Sequence, residues 1–430
     1  MDTDLKIRMS PSIALLTLIN LTPAGHEIVM INENTERVDF NYEADMVGIT
    51  ITLDVMPRAC QIAAAFRERG IPVVAGGIHV TCVPEDCMPC FDAICVGPAE
   101  RVWAKIVKDV ENGCLQKIYQ DMEGFHGAEI ISPMYSHMEK NKYLYTNIVL
   151  TSRGCPNKCG FCYNSCKNRL YIRRPIADVI NDIKALGTRH VLFIDDNFIG
   201  DPNYTRELLR EIEGMGLIWN AAVTTKILDH LDLLDLMAKT GCKSLFIGFE
   251  SINMASLQSV NKDNIVQRYE ALADAIHSRG IMINASMVFG LDGDNRDSFK
   301  RTLDWLVQTR IETLTSHILT PYPGTVLYRR MEAAGRITDR NLEKYNTANV
   351  VFEPAGMTPE ELYNGYRWMY RQFYSIKNII RRFPKSKMQR KPYLLFNLLY
   401  RKYGRLTSAI ARVIPFGILG KYAAKISYKV

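Results

Sequence analysis

Thr146-Asn147-Ile148-Val149-Leu150-Thr151-Ser152-Arg153-Gly154-Cys155-Pro156-Asn157-Lys158-Cys159-Gly160-Phe161-Cys162-Tyr163 joins a strand-like apolar run, Thr146 to Thr151, to a loop with three cysteines spaced C-x3-C-x2-C. Three thiolates from one loop can hold three irons of a cubane iron–sulfur cluster and leave the fourth iron without a protein ligand. An open iron can bind and activate a small molecule, as the open position of a catalytic zinc does. A zinc knuckle and buried free thiols are the competing readings of Cys155, Cys159 and Cys162. Zinc favours tighter pairs, such as two C-x2-C hairpins or one C-x2-C with a distant His pair. Cys166 lies nearby; as a fourth ligand it would close the iron.

Six strand–helix units run from this point. Strands are expected near 146–151, 190–195, 217–222, 243–248, 281–289 and 311–318, with helices near 176–187, 202–215, 229–240, 265–279 and 296–309. Consecutive βα units predict parallel strands in an open or partial barrel over residues 145–330, with function at the strands' carboxyl ends. The cysteine loop follows the first strand. The second strand ends in Asp195-Asp196-Asn197, a set suited to an ammonium or hydroxyl group, or alternatively to turn formation ahead of a helix capped by Asp201 or Asn203. The fourth ends in Gly248-Phe249-Glu250-Ser251; a carboxylate after so apolar a run needs a partner, or else serves as a helix N-terminal charge. The fifth carries Asn284, Ser286 and Gly290, and the sixth ends in Thr320-Pro321-Tyr322-Pro323-Gly324-Thr325.

Residues 1–115 also alternate strands and helices. Ser12 to Leu21 and Pro57 to Arg69 are helical; 28–31, 46–51, 71–75 and 93–96 are strands. That alternation predicts a doubly wound parallel sheet with ligands at its carboxyl edge, where Gly76-Gly77-Ile78-His79-Val80-Thr81 and Val96-Gly97-Pro98-Ala99-Glu100 would lie. Residues 116–144 read as a linker, and 331–430 as a helical C-terminal region.

With 47% hydrophobic and 23% charged residues, the 430-residue chain has the composition of a soluble globular protein of two or three domains. Its N-terminus is polar, and no apolar run is long enough to span a bilayer. Eleven cysteines without a secretory signal indicate a reducing, cytoplasmic setting and metal chemistry rather than a disulfide framework. Cys82, Cys87, Cys90 and Cys95 have a spacing that admits a second cluster or zinc, although free cysteine is also a common core residue. Residues 371–430 hold 15 of the 53 basic residues and none of the 46 acidic ones. Basic residues interleaved with aromatics and aliphatics suit peripheral membrane contact; RNA binding fits the charge as well, and a helical cap with a solvated basic face fits at least as well as either.

The chain resembles the radical S-adenosylmethionine (SAM) enzymes, whose signature is C-x3-C-x-aromatic-C, with Phe161 at the aromatic position. The resemblance implies a partial (β/α)6 barrel, a [4Fe–4S] cluster on Cys155, Cys159 and Cys162, and SAM chelating the fourth iron. One electron would cleave SAM to methionine and a 5′-deoxyadenosyl radical that abstracts hydrogen from an unactivated carbon. It also implies Asp196 and Asn197 near the SAM amino group, Glu250 near its ribose, Ser286 in the same site, low oxygen, and a reductant such as flavodoxin or ferredoxin. The N-terminal region is similar to the cobalamin-binding domain of one subclass, through G-G-x-H-x-T at 76–81 and V-G-x-A-E at 96–100. Gly76, Gly77, His79, Thr81, Gly97 and Glu100 would then face cobalamin. Two departures stand out: no D-x-H-x-x-G supplies a histidine for cobalt, and the usual first strand is missing, so a vestigial Rossmann-like domain is the alternative. The implied reaction is C-methylation of a hydrophobic lipid or tetrapyrrole-like substrate; the alternatives are a cobalamin-independent cyclase, oxidase or rearrangement catalyst, or an iron–sulfur sensor or RNA-binding protein.

Overall fold

The structure, a computed structural model, describes residues 10–143, 145–166 and 169–402. The Met1 to Arg8 segment and the basic tail beyond 402 lie outside those residues.

Helix α1 (Ile13–Leu21) begins at Ser12, whose hydroxyl accepts from the Leu15 N–H. Four parallel strands follow and pair in chain order: β1 (Val47–Thr50), β2 (Val73–Gly76), β3 (Ala93–Cys95) and β4 (Ile118–Tyr119). Alternate residues point to opposite faces. Val73, Ala75 and Ile94 pack with Ala59, Ala63 and Phe66 of α2 (Met56–Glu68), while Val74, Ala93 and Cys95 meet Trp103 and Ile106 of α5 (Trp103–Glu111) and Leu18 of α1. Two short helices, α3 (Ile78–Cys82) and α4 (Pro84–Cys87), link β2 to β3. Both faces are therefore covered.

Three expectations change here. Residues 28–31 form no strand: Val29 is 51% exposed, and an extended segment without a neighbouring strand leaves its N–H and C=O groups to water. The expected linker contains β4, because Ile94 and Val96 donate to the Lys117 and Tyr119 carbonyls; a two-residue strand is too short to leave a periodic signature. The reading against a disulfide framework meets one exception, Cys60 and Cys90, which form a disulfide between α2 and the turn before β3. Cys87 and Cys95 pack on opposite faces of the sheet, so the four-cysteine set is dispersed.

The barrel sheet has six parallel strands in chain order: β5 (Ile148–Val149), β8 (His190–Phe193), β9 (Ile218–Val223), β10 (Cys242–Glu250), β11 (Met282–Phe289) and β12 (Thr313–Ile318). Helices α6 (Ile176–Leu186), α7 (Pro202–Glu211), α8 (Leu231–Lys239), α10 (Tyr269–Ser278) and α11 (Arg296–Gln308) alternate with them, and the short α9 (Met254–Gln258) follows β10. Trp219, Leu245, Ile247, Ile283 and Leu314 are fully or almost fully buried between sheet and helices. A small antiparallel pair, β6 (Ser152–Arg153) with β7 (Ile172–Arg173), clamps the two ends of the cysteine loop.

The last strand is closed by side chains. On α13 (Pro359–Phe373), the Tyr370 hydroxyl accepts from Ser316 N at 2.9 Å and donates to Ser316 O at 3.2 Å. The Tyr374 hydroxyl does the same for Leu314, at 3.1 Å each way. After α12 (Val326–Ala333), the C-terminal region packs on this edge. Beyond α14 (Ile376–Arg381), Arg382 is wholly buried; it donates to the carbonyls of Ile311, Glu312 and Phe373 at 2.7–2.9 Å and to Asn397 Oδ1 at 3.1 Å. Its guanidinium lies 3.5 Å from the Phe373 ring centre. Asn397 belongs to α15 (Lys387–Lys402). The tail as far as 402 is thus a helical cap against the amino end of β12.

Candidate active site

The end of β8 fixes the start of the cysteine loop. Asp195 is buried, and its Oδ1 accepts from Thr151 Oγ1 (2.7 Å), Ser152 N (2.6 Å) and Ser152 Oγ (2.7 Å), with Thr151 N at 3.2 Å. Burial raises its pKa above the ordinary carboxylate range, and these donors oppose that shift. Buried Arg174 ties the other side, donating to Leu150 O at 2.8 Å and Asp182 Oδ2 at 2.7 Å. Gly154 has φ +79°, and a Cβ there would strike the Leu170 carbonyl, so the turn into Cys155 requires glycine.

Cys155, Cys159 and Cys162 are half-buried. Burial raises all three thiol pKa values, that of Cys162 to about 11, while backbone N–H groups of Asn157 and Asn164 favour the thiolates of Cys155 and Cys162. Asp196 acts electrostatically on Cys155 and Cys162, and Glu250 and Lys262 act on Cys159, so the loop lies between these groups. Among the described residues, no three His, Cys, Asp or Glu side chains gather around a single ion position; a cluster instead takes one thiolate per iron. The donor set suits that group: three thiols on one clamped loop with N–H support. Cys166 is buried, and its electrostatic partner Cys82 donates its thiol to Tyr163 O at 3.8 Å. Phe161 packs against the barrel core. Gly160 donates to Val260 O at 2.7 Å, and Asn261 Nδ2 donates to Lys158 O at 3.2 Å, so the segment after β10 supports the loop from below.

Glu250 ends β10 at a register shift, with φ +64°. A left-handed non-glycine residue costs on the order of 1–3 kcal/mol. The turn is held by Tyr269 and Asn264, which donate to Phe249 O at 2.8 and 2.9 Å. Its carboxylate accepts from Lys262 Nζ at 3.1 Å and Ser286 Oγ at 3.3 Å, all three groups being buried or nearly so. The expected pair Glu250 and Ser286 is therefore assembled. Lys262 was missed; the signal was a buried carboxylate lacking a cation, with a single lysine a dozen residues on. Lys262 also lines a cavity of about 470 Å³ with Thr225, Met254, Asn264 and Tyr269. Asp196 is exposed at 45% of its side chain, 3.9 Å from Arg169, whereas Asn197 is buried with no partner for its Oδ1.

On the loop's other side, a cavity of about 320 Å³ lies between the domains, lined by Thr17, Ile49, Gly76, Trp103, Arg153 and Asp196 among others. Gly77, Gly97 and Glu100 line it too; His79 and Thr81 do not. Thr81 donates to Gly77 O at 2.9 Å and accepts from Gly97 N at 3.1 Å, tying two cavity loops together. Gly77 (φ +105°) has no room for a Cβ against Ile51. His79 is buried, its pKa lowered to about 4 by desolvation, with Nδ1 3.4 Å from the Tyr163 hydroxyl. Tyr163 in turn stacks on Tyr322 at 4.7 Å, so the Thr320–Thr325 run reaches the cysteine loop. Glu100 pairs with Arg153, two residues before Cys155, at 2.6 Å. Thr17, whose buried hydroxyl has no hydrogen-bond partner, borders this cavity, and the cavity's size falls within the range of small-molecule sites.

A three-thiol loop after the first strand of an open six-stranded barrel, faced by a buried carboxylate and serine, is the arrangement of a radical SAM domain, and residues 149–306 match the radical SAM superfamily. Residues 325–423 match a domain of unknown function (DUF4070). The chain is 28% identical over 398 residues to bacteriochlorophyllide d C-12(1)-methyltransferase of Chlorobaculum tepidum, covering 89% of this chain and 86% of that protein. It is 28% identical to the hopanoid C-2 methylase of Rhodopseudomonas palustris over 358 residues, 77% of this chain and 66% of the other. In fold it resembles the cobalamin-dependent SAM radical enzyme OxsB, with TM-score 0.66 and 13% identity, covering 99% of this chain and 72% of that one.

Proposed function

We propose that the protein is a cobalamin-dependent radical SAM C-methyltransferase acting on a hydrophobic, tetrapyrrole-like or lipid substrate. The observation that carries this reading is the cysteine loop's position between two sites: the Glu250–Ser286–Lys262 cluster on the barrel side and the inter-domain cavity on the other. When bound, the cluster supplies an electron for SAM cleavage and cobalamin supplies a methyl group. Cys155, Cys159 and Cys162 hold the cluster. Glu250 accepts from a ribose hydroxyl, with Ser286 and Lys262 fixing the carboxylate. Asn197, whose buried oxygen has no protein partner, accepts from the SAM ammonium alongside Asp196. Gly76, Gly77, Gly97 and Glu100 border the cobalamin, while His79 and Thr81 shape its loops from behind. Among the described residues, no histidine lines the cavity.

Two names support the substrate class: one relative methylates a bacteriochlorophyllide and another a hopanoid. Flavodoxin or ferredoxin fits as the one-electron donor. The test is anaerobic reconstitution with iron, sulfide and hydroxocobalamin, followed by incubation with SAM and dithionite. The expected result is 5′-deoxyadenosine from the wild type and none from Cys159→Ala, with a corrinoid spectrum that survives desalting. No 5′-deoxyadenosine from the cluster-loaded wild type overturns the radical reading. Its formation without retained corrinoid overturns the cobalamin reading alone.

A further inference from the structure

We propose that α14 and the first turns of α15 form a docking surface for a membrane leaflet rich in anionic phospholipid. The inference is independent of the catalytic reading.

A helix packed on a globular domain normally buries its large apolar side chains. In α14 the pattern is partly inverted. Ile379 and Asn378 face inward, with Asn378 Nδ2 donating to Gln372 O at 2.8 Å, while Ile376 and Ile380 are 55% and 67% exposed. Ile380 is the most exposed large hydrophobic residue among those described. These two are four apart and share one stripe of the helix. Lys377 and Arg381, one residue on in each case, form an exposed basic stripe beside it. The inner side is occupied by the Arg382 network, so the isoleucines have no core to enter. Leu394 and Trp368, on the adjoining helices, are also partly exposed.

Single exposed apolar residues are ordinary, but two in register on one turn pair, flanked by cations, are not. Arg371, Lys385, Lys387 and Lys391 are exposed around them, and no Asp or Glu occurs from 371 to 430. Isoleucine and tryptophan among Lys and Arg match the interfacial layer of a bilayer, and the cations select anionic headgroups. A protein partner would call for an acidic apolar surface; an anionic leaflet supplies both properties at once and needs no complementary shape. Arg382 anchors this surface to the amino end of β12, whereas the cysteine loop lies at the carboxyl end of the barrel. Docking therefore tethers the enzyme with its active-site end turned away from the leaflet.

The full chain is sedimented with vesicles of phosphatidylcholine alone or with added phosphatidylserine, without SAM or reductant, so catalytic failure does not enter the result. Pelleting is expected only with phosphatidylserine and is lost at high salt. Ile376→Ser/Ile380→Ser lowers partitioning roughly tenfold, and Lys377→Glu/Arg381→Glu lowers it at least fivefold for each charge removed, roughly. Tm is unchanged in both. The proposal is overturned if the wild type stays in solution, if it pellets equally with phosphatidylcholine, if both variants pellet like the wild type, or if the isoleucine variant instead converts a dimer to a monomer. Should the isoleucine variant unfold, the charge variant decides.

Discussion

Replacing Asp195 by alanine removes the latch between β8 and the cysteine loop. Asp195 receives two backbone N–H groups and two hydroxyls, all four within reach of Oδ1 at 2.6–3.2 Å. The hydroxyls can turn to other acceptors; the Thr151 and Ser152 N–H groups cannot. Each buried unsatisfied donor costs about 1–3 kcal/mol, so Asp195→Ala should destabilise the protein by roughly 3–5 kcal/mol once lost packing is included. Asn can place its oxygen where Oδ1 sits and keep those four contacts, losing only the Oδ2 share of the Thr151 N–H at 3.2 Å. It also removes a charge that burial disfavours, so Asp195→Asn should lie within about 1 kcal/mol of the wild type. The assay is urea unfolding by circular dichroism, paired with iron content after anaerobic reconstitution. The alanine variant should lose both stability and bound iron while the asparagine variant keeps both. Equal stability of the two variants would refute the latch.

Arg382→Lys should lower stability by roughly 2–4 kcal/mol, because an ammonium cannot reach three carbonyls and an amide while stacked on Phe373; thermal unfolding reads this. Arg153→Ala leaves Glu100, whose side chain is 4% exposed, without its cation, and a double-mutant cycle with Glu100→Gln should return much of the loss. Asp294 is buried under Ser256 and the Gly290 and Leu291 N–H groups, and burial raises its pKa to about 6. The folded protein then keeps a proton between pH 4 and 6 that the unfolded chain releases, so stability falls as pH rises through that window, by roughly 3 kcal/mol, and levels above it. Asp294→Asn should abolish that slope in a Tm–pH series.

The barrel was readable because strands buried on both faces appear as unbroken apolar runs between amphipathic helices, and all six fell within a few residues of their expected positions. The cysteine loop was readable because its chemistry is local. What escaped depends on partners far away in sequence. Ile28 to Ile31 has strand composition but no neighbour to pair with. Tyr119 pairs across a strand too short to show a period. Cys60 and Cys90 meet only because α2 crosses the turn before β3. Lys262 acquires meaning from Glu250, and Arg382 from carbonyls some seventy residues earlier. His79 and Thr81 belong to the right loops, yet only the folded sheet shows that they stand behind the cavity wall.

The hydroxyl rungs of Tyr370 and Tyr374 on β12 bear on how the chain can be divided. An unpaired edge strand is a template for another chain, and here α13 supplies the hydrogen bonds a seventh strand would have made. A fragment ending near residue 330 would hold the cysteine loop, Glu250 and Ser286, yet expose the Leu314 and Ser316 backbone along the edge of β12. Such a fragment should self-associate through that edge. The C-terminal region is therefore not an appendage to be trimmed or exchanged; catalytic core and cap are inherited together, and any transplant of the barrel into another scaffold must carry its tyrosines.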